Sequence, residues 1–231
     1  MAAQSNALRP VGERLWEVEA PLRFLGMQVG RRMAIARLSS GDLFIHSPAP
    51  LTDELRVALD ELGAVRFVTP ASSLHGHLFM EQYAAAYPTV ELFAAPGLER
   101  RRRELSFAGA LGDAPDPRWS GDLDQTTFRG HRQLAEILFF HRPSRTLIVG
   151  DACWNVTAAT PFGARLWAGW RPGVRPTPAF RLGIRDRDSA KASVERVLDW
   201  DFDRILIGHG DIVEADGHRR FRDAYGWLLR G

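Results

Sequence analysis

Short segments of mixed apolar and polar residues, separated by turn-forming residues, fill the first fifty positions of the chain. The segments RLWEVEAPL, RRMAIARL and DLFIHSP have this character, and the sequences GMQVGR and SSGD lie between them. Such a pattern is typical of successive strands in an antiparallel sheet. We therefore expect the chain to open as a sheet.

A helical period follows this predicted sheet. In LTDELRVALDELG, Leu55, Leu59 and Leu62 recur at helical spacing, Thr52 is the expected N-cap, and Gly63 is placed to end the helix. The apolar segment AVRFVTP then predicts a short strand, and residues 78–87 predict a second helix.

The rest of the chain continues this alternation of strands and helices. VELFAAPG predicts a strand and a turn, AEILFFHRPSRTLIVGD two strands joined by a Pro-Ser turn, and DRILIGHGD a last strand. DSAKASVERVLDW predicts a helix capped by Asp188 or Ser189, and ADGHRRFRDAYGWLLR a terminal helix. The longest irregular segment covers residues 109–122, and no repeat or low-complexity tract is present. We expect one α/β domain over residues 1–231.

Composition excludes several classes of function. The 231 residues carry 30 Lys and Arg against 28 Asp and Glu, a formal charge of +2, which does not favour a nucleic-acid partner. No apolar run reaches membrane-spanning length, so no membrane partner is expected. The N-terminal residues lack the apolar core of a signal peptide, and the single cysteine, Cys153, suits a reducing compartment. A cytoplasmic protein is the expectation.

Side chains of the types that bind metals lie next to predicted strands at four places in the chain. His75 and His77 follow one strand, His131 precedes the paired strands, Asp151 ends TLIVGD, and His209 lies in ILIGHGD. Imidazole and carboxylate ligands must converge on an ion from different parts of a chain. A single histidine at a strand end is more often structural, but the ordered set predicts a metal site.

The order His-x-His, GH, RTLIVGD and IGHGD resembles that of the metallo-β-lactamase superfamily, over roughly residues 14–215. The segments ARLSSGDLFIHSP, AEILFFHRPSRTLIVGDACWN and ILIGHGD are similar to an uncharacterised bacterial branch of it. The resemblance implies an α/β fold, a four-layer αββα sandwich of two mixed β-sheets flanked by helices. It also implies a metal site at the strand ends between the two sheets.

The resemblance assigns roles to individual positions. His75, His77 and His131 match the three histidines of the first metal site. Asp151 matches the carboxylate that approaches both metals, and His209 matches the last histidine of the second site. Arg132 and Gln133 stand where small residues usually follow the third histidine.

The chain departs from the superfamily pattern His-x-His-x-Asp-His at the second metal site. Phe79 and Met80 stand where the aspartate and the last histidine of that motif would be. We therefore expect one zinc or iron ion and no second metal. His141, at the end of AEILFFH, is an alternative third histidine if His131 points away.

The function implied by the resemblance is a metal-dependent hydrolase that activates water for attack on an ester, lactone, thioester or phosphoester. Asp151 would orient or deprotonate the water, and His209 would donate a proton. Arginines at positions 165, 171, 175, 181 and 185 favour an anionic small-molecule substrate if they face the cleft. The sequence leaves the oligomeric state open.

Two other functions remain open at this point. The fold could be kept without catalysis, so that histidines lined by Phe79, Met80, Trp154 and Trp167 bind a small ligand or scaffold a partner. Histidines with a carboxylate also suit a non-haem iron redox protein.

Overall fold

A computed structural model of the protein describes residues 7–24 and 27–230, without the side chains of residues 24, 27, 28 and 167. The strands are β1 Leu8–Gly12, β2 Leu15–Ala20, β3 Arg23–Phe24, β4 Met27–Gln28, β5 Arg31–Arg37, β6 Leu43–His46, β7 Val65–Thr69, β8 Glu91–Ala94, β9 Gly109–Ala110, β10 Leu123–Phe128, β11 Glu136–His141, β12 Thr146–Val149, β13 Trp154–Val156, β14 Gly173–Arg175 and β15 Arg204–Ile207. The helices are α1 Asp53–Leu62, α2 Met80–Ala86, α3 Leu98–Arg101, α4 Phe162–Ala168, α5 Pro178–Gly183, α6 Arg187–Leu198, α7 Gly217–Ala224 and α8 Gly226–Leu229.

Two mixed sheets form the centre of the fold. The larger has the strand order β1-β2-β5-β6-β7-β8-β9, and the smaller has the order β10-β11-β12-β15. In the larger sheet β1, β2, β5 and β6 pair antiparallel, whereas β7, β8 and β9 are added in parallel. In the smaller sheet β15 pairs parallel with β12.

Apolar side chains divide the protein into four layers. Phe44, Phe67 and Phe139 are buried with Trp119 between the two sheets. Helices α1 and α2 cover the outer face of the larger sheet, and helices α6, α7 and α8 cover the outer face of the smaller one. This arrangement confirms the predicted αββα fold class.

Helix caps confirm one sequence prediction and correct another. Thr52 Oγ1 accepts the N–H of Leu55, and Gly63 follows the end of α1, as predicted. Helix α6, however, is capped by Asp186, whose carboxylate accepts the N–H of Ser189 at 3.0 Å and its hydroxyl at 2.6 Å. The predicted caps, Asp188 and Ser189, therefore lie inside the helix, because the upstream aspartate starts it earlier.

The predicted terminal helix is two helices, α7 and α8, that meet at Tyr225. This side chain is completely buried, and its hydroxyl donates to the carbonyl of Ala152. The packing of Tyr225 under the smaller sheet redirects the chain where sequence periodicity alone suggested one helix. Among the described residues, no helix has the length and apolar character needed to cross a membrane.

Candidate metal centre

Asp151 and His209 are brought together by the parallel pairing of β12 and β15. Val149 and Ile207 are register partners at the ends of these strands, and both strands continue into glycine. A Cβ atom on Gly208 would lie 3.1 Å from the Cα of Gly150, so the two backbones are in close contact there. The carboxyl ends of neighbouring parallel strands thus place both side chains at one edge of the sheet.

His75 comes from the turn that follows β7 in the other sheet. The hydroxyl oxygen of Ser72 accepts the N–H of Leu74 at 3.2 Å and that of His75 at 3.0 Å, and the N–H of Ser72 donates to the carbonyl of His75. This turn fixes the backbone of His75 at the edge where the two sheets meet.

The three side chains form a compact cluster. One ligand-type atom from each of His75, Asp151 and His209 lies within 4.8 Å of the others. Asp151 Oδ2 is 3.5 Å from His75 Nδ1, and Asp151 Oδ1 is 3.3 Å from His209 Nε2. The two imidazole rings stack with their centroids 4.7 Å apart.

A hydrogen bond selects the tautomer of His209. Its Nδ1 lies 2.8 Å from the carbonyl oxygen of Gly30, which can only accept, so Nδ1 carries a proton. Trp154 stacks on the ring at 4.6 Å and further fixes its orientation. In the neutral imidazole, Nε2 then presents a lone pair to the carboxylate of Asp151. Two acceptors at 3.3 Å need a metal ion or an added proton between them.

The environments of His75 and Asp151 favour the protonation states that metal ligands require. Both ring nitrogens of His75 are buried and have no hydrogen-bond partner in the part of the chain that the structure describes. Burial lowers the pKa of His75 to about 4, so the ring is neutral at pH 7. Burial alone would raise the pKa of Asp151, but its contacts with His75 and His209 outweigh burial and hold that pKa below its ordinary value, so the carboxylate is ionised.

The backbone that carries Asp151 is held by a buried carboxylate. Glu136 Oε1 accepts the N–H of Gly150 at 2.6 Å, and its Oε2 accepts those of Asp151 at 2.8 Å and Ala152 at 2.7 Å. Burial raises the pKa of Glu136 and the neighbouring Asp151 charge acts in the same direction, whereas the three N–H groups oppose this rise by stabilising the ionised carboxylate. Glu136 therefore fixes the orientation of the turn that carries Asp151.

Two contacts in the cluster, which start from different oxygens of Asp151, have the spacing of neighbouring ligands on a zinc ion. Zinc ligands lie about 2.0 to 2.2 Å from the ion, so tetrahedral neighbours are separated by about 3.3 to 3.6 Å. The two distances from Asp151 to the histidines, 3.5 and 3.3 Å, fall in this range. The hydrogen bond from His209 to Gly30 is the kind of outer contact that orients metal-binding histidines.

His77 does not join the cluster, contrary to the expectation for the His-x-His pair. Gly76, between the two histidines, has φ of +78°, and a Cβ there would lie 2.7 Å from the backbone N of Ala71. This left-handed turn directs His77 toward Arg102, whose Nη1 is 3.3 Å from His77 Nδ1 and donates to its carbonyl at 2.9 Å. Burial and this guanidinium lower the pKa of His77.

His131 lies outside the cluster of His75, Asp151 and His209. Its Nδ1 accepts the N–H groups of Gln133 at 3.2 Å and Leu134 at 3.0 Å, and its ring stacks on Phe180. The other ring nitrogen faces Gly183, where a Cβ would lie 1.9 Å from it. The ring thus supports a turn and packs against α5. Burial and Arg132 lower the pKa of His131.

The alternative third histidine, His141, lies far from the cluster. Strand β11 spans six residues with Glu136 at one end and His141 at the other, a separation of about 17 Å at about 3.3 Å per residue. His141 Nδ1 instead lies 2.7 Å from Ser144 Oγ. The strand direction therefore rules out His141 as a partner of the cluster.

Phe79 and Met80, which the resemblance aligns with the second metal site, also lie outside the cluster. Met80 is completely buried in the core between the larger sheet and its helices. Phe79 packs against that core, and the guanidinium of Arg31 lies 4.7 Å from the centre of its ring. Trp154 stacks on His209, as a residue lining the site, whereas the side chain of Trp167 lies outside the described residues.

The cluster forms part of the wall of a cavity of about 670 Å³. This volume lies within the usual range for small-molecule sites, about 300 to 1,000 Å³. The apolar part of the wall comes from Leu22, Val29, Leu74, Leu78, Leu134, Trp154, Ala179, Phe180 and Leu182. Three arginines, Arg31, Arg132 and Arg185, also line the cavity. Of the five arginines expected to favour an anion, Arg185 is the one found among these lining residues.

Sequence reasoning assigned no role to Arg31 or Glu136. Glu136 could have been noticed as a carboxylate in the otherwise apolar strand segment AEILFF, and Arg31 as an arginine that begins the apolar strand MAIA. A charged residue in a buried strand needs a partner, and that need is the signal.

Comparison with solved structures identifies the class of fold. The chain is similar to the metallo-β-lactamase VMB-1, with a TM-score of 0.68, 9% identity and 99% of each chain covered. It is similar to the DIM-1 metallo-β-lactamase exposed to ceftazidime, with a TM-score of 0.67, 13% identity and 96% of each chain covered. A metallo-β-lactamase from Pontibacter korlensis gives a TM-score of 0.66 at 12% identity, covering 97% of this chain and 99% of that one. The protein therefore has the metallo-β-lactamase fold.

Sequence comparison then places the chain in a family. Residues 12–167 match the family described as a domain of unknown function, DUF4336, and the chain belongs to it. No curated protein matches the sequence significantly.

Proposed function

We propose that the protein is a mononuclear metal-dependent hydrolase whose ion is held by His75, Asp151 and His209. The observation that carries this proposal is the convergence of their three ligand-type atoms within 4.8 Å at a cavity of about 670 Å³. The metallo-β-lactamase fold supports it, since two histidines and a carboxylate form a known catalytic zinc set.

The chemistry follows from the positions of the three side chains. These three residues would hold a zinc ion, which when bound would supply a Lewis acid and lower the pKa of a bound water. Asp151 has one oxygen toward each histidine, so one oxygen can bind while the other accepts a proton. Gly30 and Trp154 fix the ring of His209. We therefore assign His209 to holding the ion and not to moving a proton. The substrates we propose are small esters, lactones, thioesters or phosphoesters.

A second candidate is a non-haem iron protein. Two histidines and one carboxylate are also the ligand set of Fe(II) enzymes that leave several coordination positions open. The identity of the bound metal and the reaction it supports distinguish this candidate from the hydrolase.

Elemental analysis by inductively coupled plasma mass spectrometry tests the proposal. We expect about one equivalent of zinc in tag-free protein, lost in His75→Ala and in Asp151→Asn but retained in the matched variant His77→Ala. The zinc-loaded protein should then hydrolyse members of a panel of esters, lactones, thioesters and phosphodiesters, and His75→Ala should not.

Two results would contradict the hydrolase. Absence of metal after reconstitution would mean that His209 and Asp151 form an ion pair in a protein that binds ligands without catalysis. One equivalent of iron, with no hydrolysis of the panel, would favour the redox candidate instead.

A further inference from the structure

Two adjacent arginines at the start of β5 have contrasting environments. Arg31 and Arg32 are both buried, with 4% and 8% of their surface exposed. The guanidinium of Arg32 forms an ion pair with Glu17 and donates to the carbonyl oxygens of Ile207 and Gly210. Arg31 Nε and Nη1 are buried and have no hydrogen-bond partner within the described ranges.

The chain offers Arg31 no carboxylate in its native structure. None of the residues outside the described ranges is an aspartate or a glutamate, so none can supply a hidden one. Within those ranges no acidic side chain forms an ion pair with Arg31. Asp151 lines the same cavity but lies between His75 and His209. The guanidinium lies against the face of Phe79, 4.7 Å from the centre of the ring.

A buried cation without a counter-ion is costly, and arginine does not escape the cost by losing its proton at neutral pH. A strand position next to a cavity could hold methionine or leucine at lower cost. The retained guanidinium is explained if an anion enters the cavity and binds it. Its rigid fork of N–H donors matches two oxygens of a carboxylate or a phosphate.

The residues that line the cavity indicate the chemical character of the rest of such a ligand. Leu74, Leu78 and Leu182 line the cavity and are 42%, 55% and 76% exposed. Large exposed apolar side chains grouped at a cavity mark a surface that binds an apolar group. Arg132 and Arg185, both exposed, line the same cavity and add positive charge at its edge.

We propose that Arg31 forms an anion-binding subsite, and that the substrate is an amphiphile with a carboxylate or phosphate at Arg31 and an apolar part against the leucines. That this ligand is a substrate rests on the proposed function, but the subsite itself requires only the cavity and the buried guanidinium. Arg31 is a binding residue in this scheme and takes no part in proton transfer.

Isothermal titration of the purified protein with octanoate, octyl phosphate and octanol tests the subsite. Arg31→Met keeps an unbranched side chain beside Phe79 and removes the charge. Arg37→Met makes the same change at the exposed end of β5, away from the cavity lining, and serves as the matched control. Thermal unfolding of each variant provides a readout that is independent of binding.

We expect at least one of the two anions to bind the wild type more tightly than octanol. Arg31→Met should weaken anion binding by about 10- to 100-fold, the loss of a charged hydrogen-bonding partner. Octanol binding should be unchanged, and Arg37→Met should match the wild type. Because the buried charge is removed, Arg31→Met should have a Tm equal to or up to about 4 °C above the wild type. The stronger of the two anions identifies the oxyanion that fits.

Unchanged anion binding in Arg31→Met would overturn the inference. So would equal loss of anion and octanol binding with a Tm several degrees lower, which would make Arg31 structural, and so would failure of both anions to bind the wild type. His75→Ala separates this inference from the proposed function. Loss of anion binding in His75→Ala, with retention in Arg31→Met, would place the anion on the metal and overturn the subsite alone. The reverse pattern would support the subsite even if the protein binds no metal.

Discussion

The carboxylate of Glu136 accepts the backbone N–H of Asp151 at 2.8 Å, so one acidic residue holds the main chain from which another acidic residue projects. The same carboxylate also accepts the N–H groups on either side, from Gly150 and Ala152. A β-strand of the smaller sheet thereby fixes the turn after its neighbour. The geometry of the candidate metal centre depends on this buried contact as well as on the ligands themselves.

Replacing Glu136 with glutamine should weaken metal binding although the ligands remain. An amide presents one oxygen and one N–H₂ group, so an N–H donor must face a backbone donor in the turn. We expect about 10- to 100-fold lower affinity, as for other residues that orient metal ligands. Competition titration with a chromophoric chelator measures it. Glu214→Gln, at an exposed glutamate paired with Arg204, is the matched control and should bind like the wild type. Equal affinities for both variants would show that Glu136 does not support the site.

Gly76 should tolerate no side chain. Its φ of +78° disfavours L-residues, and a Cβ would lie 2.7 Å from both the Ala71 nitrogen and the Ser47 hydroxyl. Gly76→Ala should therefore lower the free energy of unfolding by about 1 to 3 kcal/mol in urea denaturation. Gly112 has open space around its Cα and no left-handed φ, so Gly112→Ala should be neutral or stabilising by up to about 1 kcal/mol. A Gly76→Ala variant as stable as Gly112→Ala would mean that the turn rearranges freely.

Strand ends were predictable because their signals are local. Asp151 and His209 directly follow apolar strand segments with glycine between, and two parallel strands bring such positions together whatever surrounds them. The direction of a side chain in a turn is less accessible from sequence. His77 points away because Gly76 adopts a left-handed conformation, a choice fixed by close contact with Ala71 in the same turn and with Ser47 from a distant part of the chain.

The functions of His131 and Arg31 depend on tertiary neighbours. The Nδ1 atom of His131 accepts two backbone N–H groups, and the ring fills space that Gly183 leaves open. The hydrogen bonds are local, to Gln133 and Leu134, but the contact with Gly183 cannot be inferred from FRGH. Arg31 and Arg32 are indistinguishable in sequence, yet alternation along β5 directs Arg32 to Glu17 and the other sheet and Arg31 to the cavity edge.

Replacing His131 should affect stability and leave metal content unchanged. His131→Ala removes the acceptor of two N–H groups and should cost about 0.5 to 1.5 kcal/mol for each bond in urea denaturation. His131→Asn should recover part of this loss, because the Oδ1 atom of asparagine can accept N–H groups as the Nδ1 atom of histidine does. Metal analysis of both variants should match the wild type. Loss of the metal in His131→Asn would instead assign His131 to the metal site.

Stability should fall in mild acid because of buried neutral histidines. Burial lowers the pKa of His46 from 6.5 to about 3, and that of His141 to about 4. A histidine with a lowered folded pKa contributes its full stability above pH 6.5 and loses it as the pH falls toward the folded value. The free energy of unfolding should therefore decrease by about 1.4 kcal/mol per pH unit for each such group.

The His46→Asn variant tests this linkage. Asparagine can keep the hydrogen bond to Thr69 Oγ1, which lies 3.1 Å from His46 Nδ1, but it does not titrate. Urea denaturation between pH 6.5 and pH 4 should show a shallower slope for the variant than for the wild type, and the two curves should converge at low pH. Parallel curves over that range would mean that His46 keeps the same pKa in the folded and unfolded states.

The three residues of the candidate metal centre come from widely separated parts of the chain, and His209 follows strand β15. An ion in this centre would bind only after β15 has paired with β12 and the two sheets have met. A metal that binds the native state alone stabilises it by mass action. Metal uptake would then act as the last step of maturation, and a protein truncated before β15 would have the larger sheet but no place to retain the ion.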